Sequence, residues 1–478
     1  MKASLILGAL LLAAALPAAR AQAPQSVPQA AAQPRNCHLP GVEDTLRCLK
    51  LPVPLDPAKP GRTLQLHVTI APSLREGARP DPLFVLAGGP GEAGSEVLSI
   101  LNTALRRVRA TRDIVFIDQR GTGLSGKLEC ESGDDDRLSD DAADAALRRC
   151  IAASKAPFAA YTTANAAHDI EQVRRALGYG KINLWGGSYG TRLGQAYARA
   201  YPGSVRSMIL DAVAAPDQVI PAGGRDSQAA LDKLFAQCEA DAACRKAYPG
   251  LRGEFDGLVA RLDKGMNIAL ADPRTARQVE LTMTGARLLG TVHGMLYAPG
   301  DARRLPFLVH SAAQGRWQPF VARRNVAADY NPEGSPATLL HLAVICAEDM
   351  PRLTPALAAS DRALLTRSVL DRLPGLCRAM NVPAVPWTTP ATIEAPALLL
   401  SGALDPVTPP HRAASAARYM THAQLLTAPN AGHGVSQLGC APRLLRAFLD
   451  HPEQKVDGSC LNEIPPPTFQ LGSAGPQP

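Results

Sequence analysis

Ser188, Asp405 and His433 are the residues of this chain whose types and settings could together break an acyl bond. A serine hydroxyl is a poor nucleophile at neutral pH unless a base takes its proton and a third group orients that base. Ser188 supplies the hydroxyl at the centre of Gly186-Gly187-Ser188-Tyr189-Gly190, and Asp405 follows the apolar run Leu398 to Leu400. His433 lies beyond the run 424–427, between Gly432 and Gly434, which let the backbone turn sharply. Asp211 also ends an apolar run and is the alternative acid, but its neighbours Leu210, Ala212 and Val213 suit a structural turn, so Asp405 is preferred. His411 and His422 are nearer to Asp405 in sequence; neither is framed by glycines at the end of a strand.

A glycine-rich chain produces G-x-S-x-G by chance, so the surroundings decide its meaning. Ile182 to Trp185 reads as a buried strand entering the motif, and Leu193, Tyr197 and Ala200 as the face of a helix leaving it. A serine at so sharp a turn is strained, and side chains two positions before and after it would collide, which accounts for Gly186 and Gly190. The order serine, aspartate, histidine is the chain order of α/β hydrolases. A tetrahedral intermediate also needs donors for its oxyanion. The backbone N–H of Tyr189 is one candidate; Gly89, in Ala87-Gly88-Gly89-Pro90-Gly91 after the run Leu83 to Leu86, is the other. No G-K-[ST] or G-x-G-x-x-G follows this loop, which speaks against a phosphate cradle.

The elements that must hold these residues are legible as an α/β alternation. Leu64 to Ile70 alternates apolar and polar residues, as a half-buried strand near a sheet edge does. Residues 83–86, 114–117, 182–185, 208–210 and 397–400 are short apolar runs suited to parallel strands covered on both faces. Val97, Leu101, Leu105 and Val108 share one helical face; Ile170, Val173 and Leu177 share another, with Asn165 as N-cap and Gly178 as stop. After Asp211 the alternation ceases and helical patterns dominate to Trp387, which predicts an inserted helical cap. The sheet resumes at 397–401 and 424–427 and closes with a helix over 443–449.

At 478 residues the chain has room for a large core plus an insertion. Its net charge of +7 is spread without a basic block or interleaved aromatics, which excludes a nucleic-acid partner from the reading. Lys2, the apolar run Leu5 to Leu16 and Ala19-Arg20-Ala21 predict a secretory signal peptide cleaved after Ala21. The run is too short to span a bilayer, so a secreted or periplasmic protein with no stable membrane insertion is expected. Ten cysteines suit that compartment as disulfides between sequence neighbours: 37 with 48, 130 with 150, 238 with 244, 346 with 377, and 440 with 460. Without C-x-x-C or H-E-x-x-H spacing no metal is expected.

Gly88-Gly89-Pro90-Gly91, Asp118-Gln119-Arg120-Gly121-Thr122-Gly123-Leu124-Ser125, the serine motif, Asp405 and Gly432-His433-Gly434 together resemble the prolyl and tripeptidyl aminopeptidase group of serine peptidases. The exported branch with a tripeptidyl-aminopeptidase-like (TAP-like) C-terminal region is most similar. The resemblance implies an α/β-hydrolase fold, a mostly parallel sheet with an inserted helical cap, and an exopeptidase that needs no cofactor and acts on peptides with a free N-terminus. It also implies cap carboxylates for the substrate amine, for which Glu348 and Asp349 are the candidates. Proline-specific members often have a histidine before the two glycines; Ala87 stands there here, which favours a tripeptidyl or broader aminopeptidase. Asp118 and Arg120 are expected to tie loops together through charge-assisted hydrogen bonds. The expected organisation is a signal peptide at 1–21, an N-terminal segment at 22–60, hydrolase core at 61–212, cap at 213–387, hydrolase core with the TAP-like region at 388–463 and a flexible tail at 464–478. The competing activity is a carboxylesterase or lipase on the same fold, since a triad does not distinguish amide from ester; a binding protein without turnover is the third reading.

Overall fold

The computed structural model describes residues 33–59, 61–130, 137–273, 275–330 and 336–475. The expected signal peptide, 1–21, and the start of the expected lead-in lie outside the described residues. Strands β1 (Arg35–Cys37), β2 (Leu46–Pro54), β3 (Thr63–Ala71), β4 (Leu83–Leu86), β5 (Ile114–Ile117), β6 (Ile182–Gly187) and β7 (Val205–Asp211) precede the insertion. Within it β8 (Met266–Ala271) and β9 (Gln278–Met283) form an antiparallel pair, and β10 (Ala397–Gly402) and β11 (Ala423–Ala428) follow it. Among the described residues the main sheet has nine strands in the order β1-β2-β3-β5-β4-β6-β7-β10-β11, parallel from β5 through β11 and antiparallel from β1 through β3 to β5. β3 is interior to the sheet, because β2, a run that carries prolines at 52 and 54, covers the side expected to be an edge.

The short apolar runs are buried on both faces because each alternate residue enters a different core. Phe84, Leu86, Ile182, Leu184, Met208 and Leu210 pack with Ile170, Val173, Leu193 and Tyr197 of the helices Thr163–Ala176 and Tyr189–Ala200. Leu83, Val85, Phe116, Ile209, Leu398 and Leu400 point the other way, against Leu98, Leu105, Leu445 and Phe448. The chain leaves β4 to one side for β5 and returns to the other side for β6. This topological switch puts the loops after β4 and β6 next to each other at the carboxyl edge, where open α/β sheets bind ligands.

Several local expectations differ from the structure. The face Val97 to Val108 is not one helix but a 3-10 stretch, Gly94–Leu101, and a single turn, Arg106–Arg109. The helix expected to start at Asn165 is capped instead by Thr162, whose hydroxyl accepts from Asn165 N. The insertion is not wholly helical, since β8 and β9 lie within it, and it does not pack as one unit. Residues from Leu231 to Val321 build their own core, whereas Leu339 to Val344 and Leu373 to Met380 join the sheet's core. The C-terminal stretch is anchored over its described part. Phe469 is 4% exposed in the cap core beneath the Arg303 guanidinium, and Tyr248 Oη donates to Gln470 O at 2.9 Å. One aromatic filling a cap cavity outweighs the Pro-rich composition that suggested a flexible tail.

All ten cysteines pair as sequence neighbours: Cys37–Cys48, Cys130–Cys150, Cys238–Cys244, Cys346–Cys377 and Cys440–Cys460. No helix among the described residues is long and apolar enough to cross a membrane.

Candidate active site

Ser188 occupies the turn between β6 and the helix Tyr189–Ala200 with φ 52° and ψ −123°, a backbone region that L-residues seldom adopt. Close approach explains the flanking glycines. A Cβ on Gly190 would lie 2.0 Å from Leu86 O, and one on Gly186 would lie 2.5 Å from Gly190 O. Ser188 N donates to Asp211 O at 3.0 Å, and Thr191 Oγ1 donates to Ser188 O at 2.6 Å, so the strained turn is held from both sides.

Asp405 follows β10 and is 3% exposed. Its carboxylate accepts from Val407 N at 2.8 Å, Thr408 N at 2.9 Å, Thr408 Oγ1 at 2.7 Å and His433 Nδ1 at 2.9 Å. Burial alone would raise its pKa, but the imidazole and these donors outweigh that and hold it below the usual carboxylate value. For His433 burial opposes the charged ring, yet Asp405, then Asp211 and Glu92, carry its pKa above the ordinary value. With Nδ1 engaged, Nε2 is the nitrogen left for a proton from Ser188, which lines the same cleft.

The histidine loop is fixed by residues that sequence reasoning undervalued or missed. Asp211, the alternative acid, accepts from Val435 N at 2.9 Å and Ser436 N at 2.7 Å, so it anchors the loop while Asp405 takes the ring. Trp185 Nε1 donates to Ser436 Oγ at 3.0 Å. Tyr297, from the cap, accepts His433 N at 2.7 Å through its carbonyl and packs its ring 4.8 Å from the imidazole. Gly432 is required there, since a Cβ would lie 2.2 Å from Tyr297 O. Nothing in the local sequence around Tyr297 signals this role.

Gly89 has φ 102° and opens a cis peptide to Pro90, and Tyr189 begins the helix, where a backbone N–H has no intrahelical acceptor. Around the β4 loop, Gln119 Nε2 donates to Ala87 O at 3.0 Å, His341 Nδ1 lies 3.1 Å from Pro90 O, and Ala337 N donates to Gly91 O at 2.9 Å. Asp118 accepts from Ser95 N and Leu124 N, and Arg120 forms a fork onto Asp169 at 2.8 and 2.7 Å. Both tie loops as expected, each to other partners.

Glu348 and Asp349 do not reach the cleft. They lie on the π-turn Ile345–Asp349, packed against the nucleophile helix. Glu348 accepts from Thr163 N at 2.7 Å and Thr163 Oγ1 at 2.6 Å, and that hydroxyl also meets Tyr189 Oη at 2.7 Å. Asp349 is fully buried and takes Arg192 at 2.9 and 3.2 Å and Ile220 N at 3.0 Å. Asp349 therefore clamps the cap to the nucleophile helix at Arg192, and Glu348 clamps it to the start of the helix Thr163–Ala176, whose Thr163 hydroxyl reaches Tyr189. Breaking a buried pair such as Asp349–Arg192 costs about 3–5 kcal/mol, which suits a structural clamp, and neither carboxylate lines the cleft where a substrate amine would lie.

The cleft itself has a volume of about 520 Å³, and Gly88, Ser188 and His433 line it together with Glu92 and Glu96. Glu92 follows the glycine loop directly and Glu96 stands four residues further on, and that position after β4 is the signal in the sequence that singles them out.

Residues 81–252 match the alpha/beta hydrolase fold family model, and residues 366–460 match the TAP-like protein model. The chain is similar to serine protease Hip1 of Mycobacterium tuberculosis, 28% identical over 450 residues and spanning 84% of each protein. It is also similar to the tripeptidyl aminopeptidase of Streptomyces coelicolor, 31% identical over 198 residues and 36% of each chain. Among solved structures, proline iminopeptidase of Mycobacterium smegmatis aligns with 85% of this chain and 94% of its own, at 19% identity and a TM-score of 0.36.

Proposed function

We propose that this chain, an α/β hydrolase with a TAP-like C-terminal region, is a serine peptidase that releases residues from the free N-terminus of peptides. The observation that carries the reading is the buried Asp405–His433 hydrogen bond in the cleft that holds the strained Ser188. His433 Nε2 takes the Ser188 proton as the hydroxyl attacks the scissile carbonyl, and the backbone N–H groups of Tyr189 and Gly89 receive the oxyanion. The imidazolium, stabilised by Asp405, then protonates the leaving amine. Water, deprotonated by the same ring, hydrolyses the acyl-enzyme. Similarity to serine protease Hip1 over most of the chain supports amide chemistry, and five disulfides suit an exported, oxidising setting.

An esterase is the second reading. It is favoured by an apolar pocket of about 320 Å³ between cap and core, lined by Ile220, Leu342, Ile345, Leu373, Leu376 and Val407. The test is hydrolysis by the purified protein of proline, alanine and Ala-Ala-Pro chromogenic amides and of short-chain esters. Amide turnover at kcat/KM above that for the esters is the expected result. Ester turnover without measurable amide cleavage would replace the peptidase reading with the esterase one.

A further inference from the structure

The cleft around the nucleophile is rich in carboxylates. Among the described residues no lysine or arginine lines the cleft; Glu92, Glu96 and Asp211 do, and of the described lining residues His433 alone could be cationic. Two of these carboxylates are already compensated. Asp211 is held by the amides of Val435 and Ser436, and Glu96 accepts from Ala93 N at 2.9 Å with Lys127 Nζ at 3.7 Å. Glu92 is different: Oε2 accepts from Gly88 N at 2.9 Å, whereas Oε1 has no hydrogen-bond partner among the described residues, and no cation pairs with it there. Glu92 also stands next to the reacting centre. Its Oε2 and Ser188 Cβ lie 3.3 and 3.2 Å from the one point that a Cβ on Gly88 would occupy.

We propose, on the reading of this protein as a serine peptidase, that Glu92 determines specificity by receiving a positively charged group of the residue whose carbonyl Ser188 attacks. That group is the residue's α-ammonium or a basic side chain. The α-ammonium of an N-terminal residue is two bonds from the attacked carbonyl carbon, within reach of a carboxylate beside Ser188. The ammonium of a tripeptide acyl group is two residues, roughly 7 Å, further away. A half-buried carboxylate without a cation is penalised by desolvation, which raises the pKa of Glu92 despite Gly88 N–H and His433, and an entering cation relieves that penalty.

The test compares alanine, lysine and Ala-Ala-Pro chromogenic amides, each free and N-acetylated, on wild type, Glu92→Gln and Glu92→Asp. The wild type should prefer the free alanine amide over its acetylated form about tenfold or more in kcat/KM, the range for a hydrogen bond to a charged group. In Glu92→Gln that ratio should fall about tenfold, mainly through KM, and Glu92→Asp should restore part of it. Glutamine still offers an oxygen to Gly88 N–H, so a purely structural role would move free and acetylated substrates together. A lysine preference that survives acetylation and collapses in Glu92→Gln would support the proposal with the side chain as the cation. Equal ratios in wild type and Glu92→Gln on both arms would overturn it. If the glutamine variant does not fold, inhibition of the wild type by alaninamide and by N-acetylalaninamide decides, and equal inhibition by the two overturns the proposal. Absence of all amide turnover would instead defeat the peptidase reading, and alanine and N-acetylalanine esters would then report the same Glu92-dependent ratio.

Discussion

Ser188→Ala is expected to lower kcat/KM for the best substrate by about ten-thousandfold to a millionfold, with an unchanged far-UV circular dichroism spectrum. The size follows from the mechanism: without the hydroxyl no acyl-enzyme forms, and what persists is the contribution of oxyanion donors and substrate positioning. The fold should tolerate the change. Alanine can occupy the same strained backbone, and the bonds that hold the turn, Ser188 N to Asp211 O and Thr191 Oγ1 to Ser188 O, do not involve the lost oxygen. A variant that keeps more than about a hundredth of the activity would sink the assignment of Ser188 as nucleophile.

Asp405→Asn is expected to cost about ten-thousandfold in kcat, for a different reason. The asparagine amide can donate an N–H to His433 Nδ1, and the Thr408 hydroxyl, already 3.2 Å from that nitrogen, can donate its O–H. Either interaction favours the tautomer with Nδ1 as acceptor, which puts the proton on Nε2 where Ser188 needs a base. The same change should move the pH profile. His433 faces Asp405, Asp211 and Glu92, with His293 and Tyr297 also nearby. Burial lowers its pKa and the three carboxylates raise it, with a net upward shift. Catalysis uses the neutral ring, so wild-type kcat/KM should climb along an acid limb centred above the ordinary histidine pKa. Removing the Asp405 charge leaves burial dominant, and the limb should move to lower pH as the maximum falls. An acid limb that stays in place in Asp405→Asn would mean that another group controls it.

The legibility of these residues in the sequence follows the range of the interactions that place them. Strands buried on both faces announce themselves as apolar runs, so 83–86, 114–117, 182–185 and 397–400 were readable, and so was the strand-serine-helix turn. The pairing of sequence-adjacent cysteines was readable for the same reason. Positions fixed by long-range packing were not. Tyr297 holds the histidine loop from the cap, Phe469 docks among residues distant from it in sequence, and Pro52 hides the strand Leu46–Pro54. Glu348 and Asp349 were misread because a carboxylate looks the same in sequence whether it faces a substrate or a buried arginine. Only Thr163 and Arg192, distant in the chain, distinguish the two cases.

The most direct test of the central claim is to expose the native protein to a fluorophosphonate and map the adduct by peptide mass spectrometry. A single adduct on Ser188, formed at a rate that collapses in His433→Ala, is the expected result. An adduct on another serine, or labelling of Ser188 that is indifferent to His433, would contradict the account.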